Sequence, residues 1–163
     1  MIPHFFVRGR YPQKGITMKE KLTTGELFED ELLLTARRYF GGKNIAGTYE
    51  ETDGTEADWK QGTDCKIWGL PVDFTYNFAG KDHMVACEQT VDLLCGVKVR
   101  YGVRTGNNHG AEFDTPVLVV GFECDSAWLH AMWENIFDDI RKNFMDIIDA
   151  GIDQYWETVD AMA

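Results

Sequence analysis

From Leu129 to Val159 apolar side chains recur at three- and four-residue steps: Leu129, Met132, Trp133, Ile136, Ile140, Phe144, Ile147, Ile148, Ile152, Tyr155, Trp156 and Val159. That spacing lays them on one broad helical stripe and predicts a long C-terminal helix over residues 125–160. Asp125 and Ser126 stand where a cap for its first free amides belongs. Gly151 reads as a break or kink near its end. A first helix follows Thr23 and Thr24, with Leu27, Phe28, Glu31, Leu32, Leu34, Thr35 and Tyr39 ahead of a Gly41-Gly42 stop. Residues 82–94 read as a further helix.

The middle of the chain has a period of two. Val97, Val99, Tyr101 and Val103 alternate with Lys98, Arg100 and Arg104, the mark of a half-buried strand. Residues 116–122 are almost wholly apolar and predict a central strand. Residues 64–68 and 70–78 form the two arms of a hairpin about Trp68-Gly69, and residues 45–51 form a short strand. Residues 52–62 are a polar, acid-rich loop, and residues 105–110 are a second loop. The order is helix, three strands, helix, two strands, long helix. It predicts an α/β (α+β) fold, a mixed five-stranded sheet flanked by helices.

The 163 residues suit one domain. Residues 1–17 hold Pro3, Gly9, Pro12 and Gly15, show no sustained period, and read as an irregular arm ahead of a domain over 18–163. No stretch nears the roughly 18 apolar residues that span a bilayer, and the start is not that of a secretory signal, so a cytoplasmic location is expected and no membrane partner. Cys65, Cys87, Cys95 and Cys124 make no CxxC pair and the four histidines are scattered, so the thiols read as free and buried, without structural zinc.

The net charge of -11 speaks against a broad cationic surface for nucleic acid. Its distribution says more. From Cys124 onward nine acids face two bases, a net of -7, which leaves -4 for residues 1–123. The acids fall mainly between the apolar positions of the C-terminal helix. They make either a solvated outer face or an acidic surface that repels DNA or imitates it toward a basic partner.

Candidate chemistry centres on the hairpin. With Trp68-Gly69 as a two-residue turn, Ile67 faces Leu70, Lys66 faces Pro71, Cys65 faces Val72, and Asp64 faces Asp73. Two carboxylates so opposed, with Cβ atoms roughly 4.5–5.5 Å apart, repel each other unless a cation lies between them. Mg²⁺ or Mn²⁺, which take hard oxygen ligands, would reverse that penalty; the alternative is two acids facing solvent at a sheet edge. Glu29 or Glu31 of the first helix could add a third acid, Glu31 from the apolar stripe, or both could belong to an exposed helical face. Lys98, Arg100 and Arg104 share one strand face and could meet phosphates, or form an ordinary solvated face.

A helix bearing a glutamate, then the segment GTDCKIWGLPVDFTYN, then a helix and two strands resembles the PD-(D/E)XK restriction-endonuclease-like superfamily over about residues 24–122. The resemblance implies a restriction-endonuclease-like core in which Asp64 and Asp73 hold Mg²⁺ or Mn²⁺ for hydrolysis of a DNA phosphodiester, with Glu29 or Glu31 as the acid of the first helix. The lysine of the family's acid-x-lysine triplet is replaced here by Thr75. Threonine supplies no positive charge; Lys81 from the far end of the strand, Lys98 or Arg100 from its neighbour, or a second metal would have to do so.

Two functions follow as expectations. One is a metal-dependent DNA hydrolase of weakened activity. The other is a non-enzymatic acidic inhibitor from a phage or mobile element, an anti-CRISPR or anti-restriction protein that blocks a host DNA-binding complex. The wide apolar stripe of the last helix would also suit a homodimer.

Overall fold

A computed structural model describes residues 23–40, 49–51, 65–77, 84–106 and 112–162. Helix α1 (Thr24–Phe40) opens on a reciprocal capping box: the Thr23 amide donates to Glu26 Oε1 at 2.9 Å, and the Glu26 amide donates to Thr23 Oγ1 at 3.1 Å. Six strands follow: β1 (Tyr49–Glu51), β2 (Cys65–Ile67), β3 (Leu70–Tyr76), β4 (Met84–Asp92), β5 (Lys98–Gly106) and β6 (Glu112–Glu123). Helices α2 (Ser126–Ala131), α3 (Trp133–Lys142) and α4 (Phe144–Met162) complete the described chain.

The strands form one mixed sheet in the order β1-β2-β3-β6-β5-β4. The β3–β6 pair is parallel and every other neighbouring pair is antiparallel. The five expected strands are all in this sheet. The hairpin has the expected register, with Cys65 opposite Val72 and Ile67 opposite Leu70. Trp68 (φ 52°) and Gly69 (φ 79°) both take the left-handed turn conformation whose twist matches the strands it joins. A side chain as large as Trp68 is costly there; its ring sits edge-on to Phe40, centroids 6.0 Å apart.

Two expectations need correction. The helix expected over residues 82–94 is strand β4, the sixth strand, paired with β5 from Met84 opposite Arg104 to Asp92 opposite Lys98. Val85, Thr90 and Val91 suit a strand, and the free edge of β5 supplies a partner, so tertiary pairing overrides a weak local helix signal. The single helix expected over 125–160 is three helices, broken at Met132 (φ -120°, ψ 24°) and Asn143 (φ -106°, ψ 9°). Asn143 donates from Nδ2 to the backbone oxygen of Asp139 at 2.8 Å, fixing the second break. Gly151, read as a break, lies within α4, where its missing side chain admits the ring of Tyr101: an added Cβ would stand 2.8 Å from Tyr101 Cε1.

One hydrophobic core joins the helices to the sheet. Phe28, Leu32 and Phe40 of α1, Leu129 of α2, Phe137 and Ile140 of α3 and Phe144 and Ile147 of α4 meet Val72, Phe74, Val99, Tyr101, Leu118, Val120 and Phe122. Phe28 is the hub, with ring centroids 4.9 Å from Phe137 and 5.3 Å from Tyr76. Alternation along the strands therefore turns Asp73, Thr75, Lys98, Arg100, Arg104, Val117 and Val119 to the other face of the sheet.

Candidate functional site: the Asp73 face and the acidic helix

The parallel β3–β6 register sets Asp73 beside Val119, and β5 lies beyond, with Arg104 opposite Val117. Across the intervening strand, Arg104 Nη1 donates to Asp73 Oδ2 at 3.2 Å. The two side chains are only 11% and 14% exposed. The carboxylate expected to hold a metal and the guanidinium expected to hold a phosphate are thus partners of each other. Thr75, where the family has lysine, is buried and donates from Oγ1 to the backbone oxygen of Asn77 at 3.3 Å. Arg100, half exposed, stands 3.5 Å from Glu123 Oε2, and Lys98 is exposed at the end of the same face. Asp64, Lys81 and the loop 107–110 lie outside the described residues.

The acids of α1 serve elsewhere. Glu31 is buried, as its place on the apolar stripe suggested, and its Oε2 is 3.7 Å from Arg141 Nη1 on the helix side of the sheet. Glu29 Oε2 accepts the Tyr76 amide at 3.0 Å, which satisfies β3 beyond the point where β2 ends. Glu31 is therefore separated from Asp73 by the sheet itself. A divalent cation at Asp73 would compete with Arg104 for the carboxylate and be repelled by the guanidinium. Among the described residues no group of three His, Cys, Asp or Glu side chains is placed to share a metal ion. Of the expected metal pair, Asp73 is held by Arg104, and Asp64 lies outside the described residues.

Among the described residues, an unopposed row of acids lies on α4. Asp146, Asp149, Asp153, Glu157 and Asp160 are all exposed, at steps of three and four residues. They form one line along the helix, about 21 Å from first to last. The helix contains no Lys, Arg or His, and none of the five forms an ion pair with a described residue. Asp146 in the first turn complements the helix dipole, whereas Glu157 and Asp160 oppose it at the other end. Like charges at this spacing also repel. Stability alone does not account for the row.

Of the acids in α3, Asp138 is paired with Arg141 at 2.7 Å, and Asp139 accepts from the Cys95 amide at 3.1 Å and from Asn143. Asp139 is thus a structural acceptor and not part of a free acidic surface. Arg141, counted in the sequence only as a base, joins Asp138 and Glu31, and Glu157, counted only among the acids, lines a groove beside β4 with Gln154, which sequence reasoning passed over. Gln154 carries no periodic or motif signal. No described helix is long and apolar enough to cross a membrane.

Compared with known proteins, the chain matches no family model, no curated protein and no solved structure.

Proposed function

We propose that the protein is a non-enzymatic acidic binder that occupies the nucleic-acid-binding surface of a partner protein, an inhibitor of a DNA-handling complex such as a CRISPR effector or a restriction enzyme. The observation that carries this reading is the row Asp146, Asp149, Asp153, Glu157 and Asp160, exposed and without a counter-charge in its own helix. Over about 21 Å one strand of duplex DNA presents roughly six phosphates. Five carboxylates over the same length offer a basic groove a similar line of charge and raise the encounter rate through long-range attraction. Asp73 paired with Arg104, and Thr75 in the lysine position, also support a binding role over a hydrolytic one.

The test is competition. A DNA-binding protein with a basic groove is titrated with the chain in the presence of labelled DNA. The expected result is displacement of DNA that weakens steeply with salt and is lost when Asp146, Asp149, Asp153 and Asp160 are changed to Asn together. Displacement that ignores salt, or survives those four changes, would rule the reading out.

A second reading, metal-dependent DNA hydrolysis on a restriction-endonuclease-like core, keeps one specific support. The hairpin register, Cys65 opposite Val72, is the one on which opposed acids at 64 and 73 depend. It loses the second helix of the resemblance, which is a strand. Nicking of plasmid DNA in Mg²⁺ or Mn²⁺ by the wild type, abolished in Asp73→Asn, would favour it.

A further inference from the structure

Among the described residues β4 is an edge strand of the sheet, and α4 passes beside it. Between the two runs a groove of about 420 Å³, lined along β4 by five consecutive residues, Val85 to Gln89, and on the other side by the last turns of α4. Five successive residues line it, so the groove runs along the strand. Pairing of β4 with β5 is interrupted between Ala86 and Thr90, within this stretch.

We infer that this groove receives an extended basic segment of a partner protein, laid along the edge of β4 with a Lys or Arg side chain in the groove. The walls suit such a side chain. Val85, Ala161 and Met162 offer apolar surface to its methylene stem, and Glu88 and Glu157 offer carboxylates to its charged end. No residue lining the groove is a base. Gln154 is 7% exposed, yet its side-chain amide has no hydrogen-bond partner among the described residues. The amide lines the groove, where a ligand donor or acceptor can reach it. The outer amides and carbonyls of β4 provide main-chain pairing of the kind that adds a peptide strand to a sheet. A second copy of the chain is the wrong occupant, since it would bring Glu88, Asp92 and the α4 acids against acids of the same sign.

This inference deepens the proposed role as an acidic binder and rests on it only for the sign of the partner's charge. The substitutions expected to weaken it, at Glu88 and Glu157, are not among those of the DNA competition. The full chain is titrated into a fluorescein-labelled nonapeptide of alternating arginine and valine, read by anisotropy. Two control peptides are used, one with alternate amides N-methylated and one with citrulline for arginine. Saturable binding is expected, weakened at least roughly tenfold by Glu88→Gln with Glu157→Gln, by N-methylation and by citrulline. Asp146→Asn with Asp149→Asn, more than a turn of α4 away from the groove, changes it less than about twofold.

Four results would overturn the inference: no binding by the wild type, equal loss from both carboxylate pairs, undiminished binding of the N-methylated peptide, or a dimer in light scattering that the peptide does not dissociate. All four substitutions are at exposed positions, and circular dichroism checks that the fold survives them. A chain that binds the peptide but fails to displace DNA would keep the groove and remove the proposed function.

Discussion

Arg104 and Asp73 meet at 3.2 Å across strand β6, which separates the strands that carry them. Both are largely withdrawn from solvent, so removing one takes from the other a charged partner that water only partly replaces. Asp73→Ala is expected to lower stability by about 3 kcal/mol. Asp73→Ala with Arg104→Ala should cost less than the sum of the two single changes, because each single change removes the same interaction. Urea unfolding of the four variants measures the coupling; simple additivity would mean that the pair does not act as one.

The acids of α4 should differ in sign of effect. Glu157→Gln or Asp160→Asn removes a negative charge from the negative end of the helix dipole and should raise stability by about 0.3–1 kcal/mol. Asp146→Asn removes a favourable charge from the first turn and should lower it by a similar amount. Thermal unfolding at low salt reads the difference, and added salt should shrink it. A protein made more stable by losing these carboxylates, and less able to displace DNA, keeps them for binding.

Gly151→Ala sets two effects against each other. Alanine is the better helix former by about 1 kcal/mol. Its Cβ would nevertheless stand 2.8 Å from Tyr101 Cε1, and that ring is anchored by a 2.6 Å hydrogen bond from its hydroxyl to the Ile147 carbonyl. Overpacking costs about 1–3 kcal/mol and should win. The midpoint of thermal unfolding should fall by about 2–6 °C; a rise would show that α4 can shift away from the sheet.

The thiols should be slow to react. Burial, helped by Asp139, pushes the Cys95 thiol up to about 11, and burial raises Cys87 and Cys124 as well. At pH 8 about one Cys95 in a thousand is then thiolate. Alkylation by iodoacetamide, followed by mass spectrometry, should be much slower in the folded chain than in urea. The same shift has a pH consequence of definite sign. Below the unfolded-state value near 8.5 the thiol is protonated in both states and contributes nothing. Between there and about 11 the unfolded chain loses the proton first, so stability falls as pH rises. Burial raises Tyr101 too, which extends the loss to higher pH. Circular dichroism against pH should show unfolding in alkali, and the Cys95→Ala variant should delay its onset.

Much of the architecture was legible because local chemistry and tertiary structure agree. The Thr23–Glu26 box starts α1, Trp68-Gly69 sets the hairpin register, and the alternation from Val97 to Arg104 divides β5 between core and opposite face. The rest depends on which strands become neighbours. Residues 84–92 carry a mixed local preference that the edge of β5 decides. Asp73 and Arg104 are 31 residues apart on strands that do not touch, and only the insertion of β6 between them brings their ends together. The line of acids was visible as charge, but its division into a paired Asp138, a structural Asp139 and an unopposed row on α4 required the two helix breaks.

β6 is the last strand of the sheet in chain order and lies at its middle. The inner edge of β3 has no partner until residues 117–122 exist, although β2–β3 and β4–β5 can each close earlier as local hairpins. A chain leaving the ribosome thus holds two separate ribbons with exposed edges, and one late segment joins them and seats α4. Joining distant segments is the slow part of folding. Pulsed hydrogen exchange during refolding should find the amides that join β3 and β5 to β6 protected in the same late phase, after those that join β4 to β5. Newly made chains that stop short of residue 112 should associate through their unpaired edges.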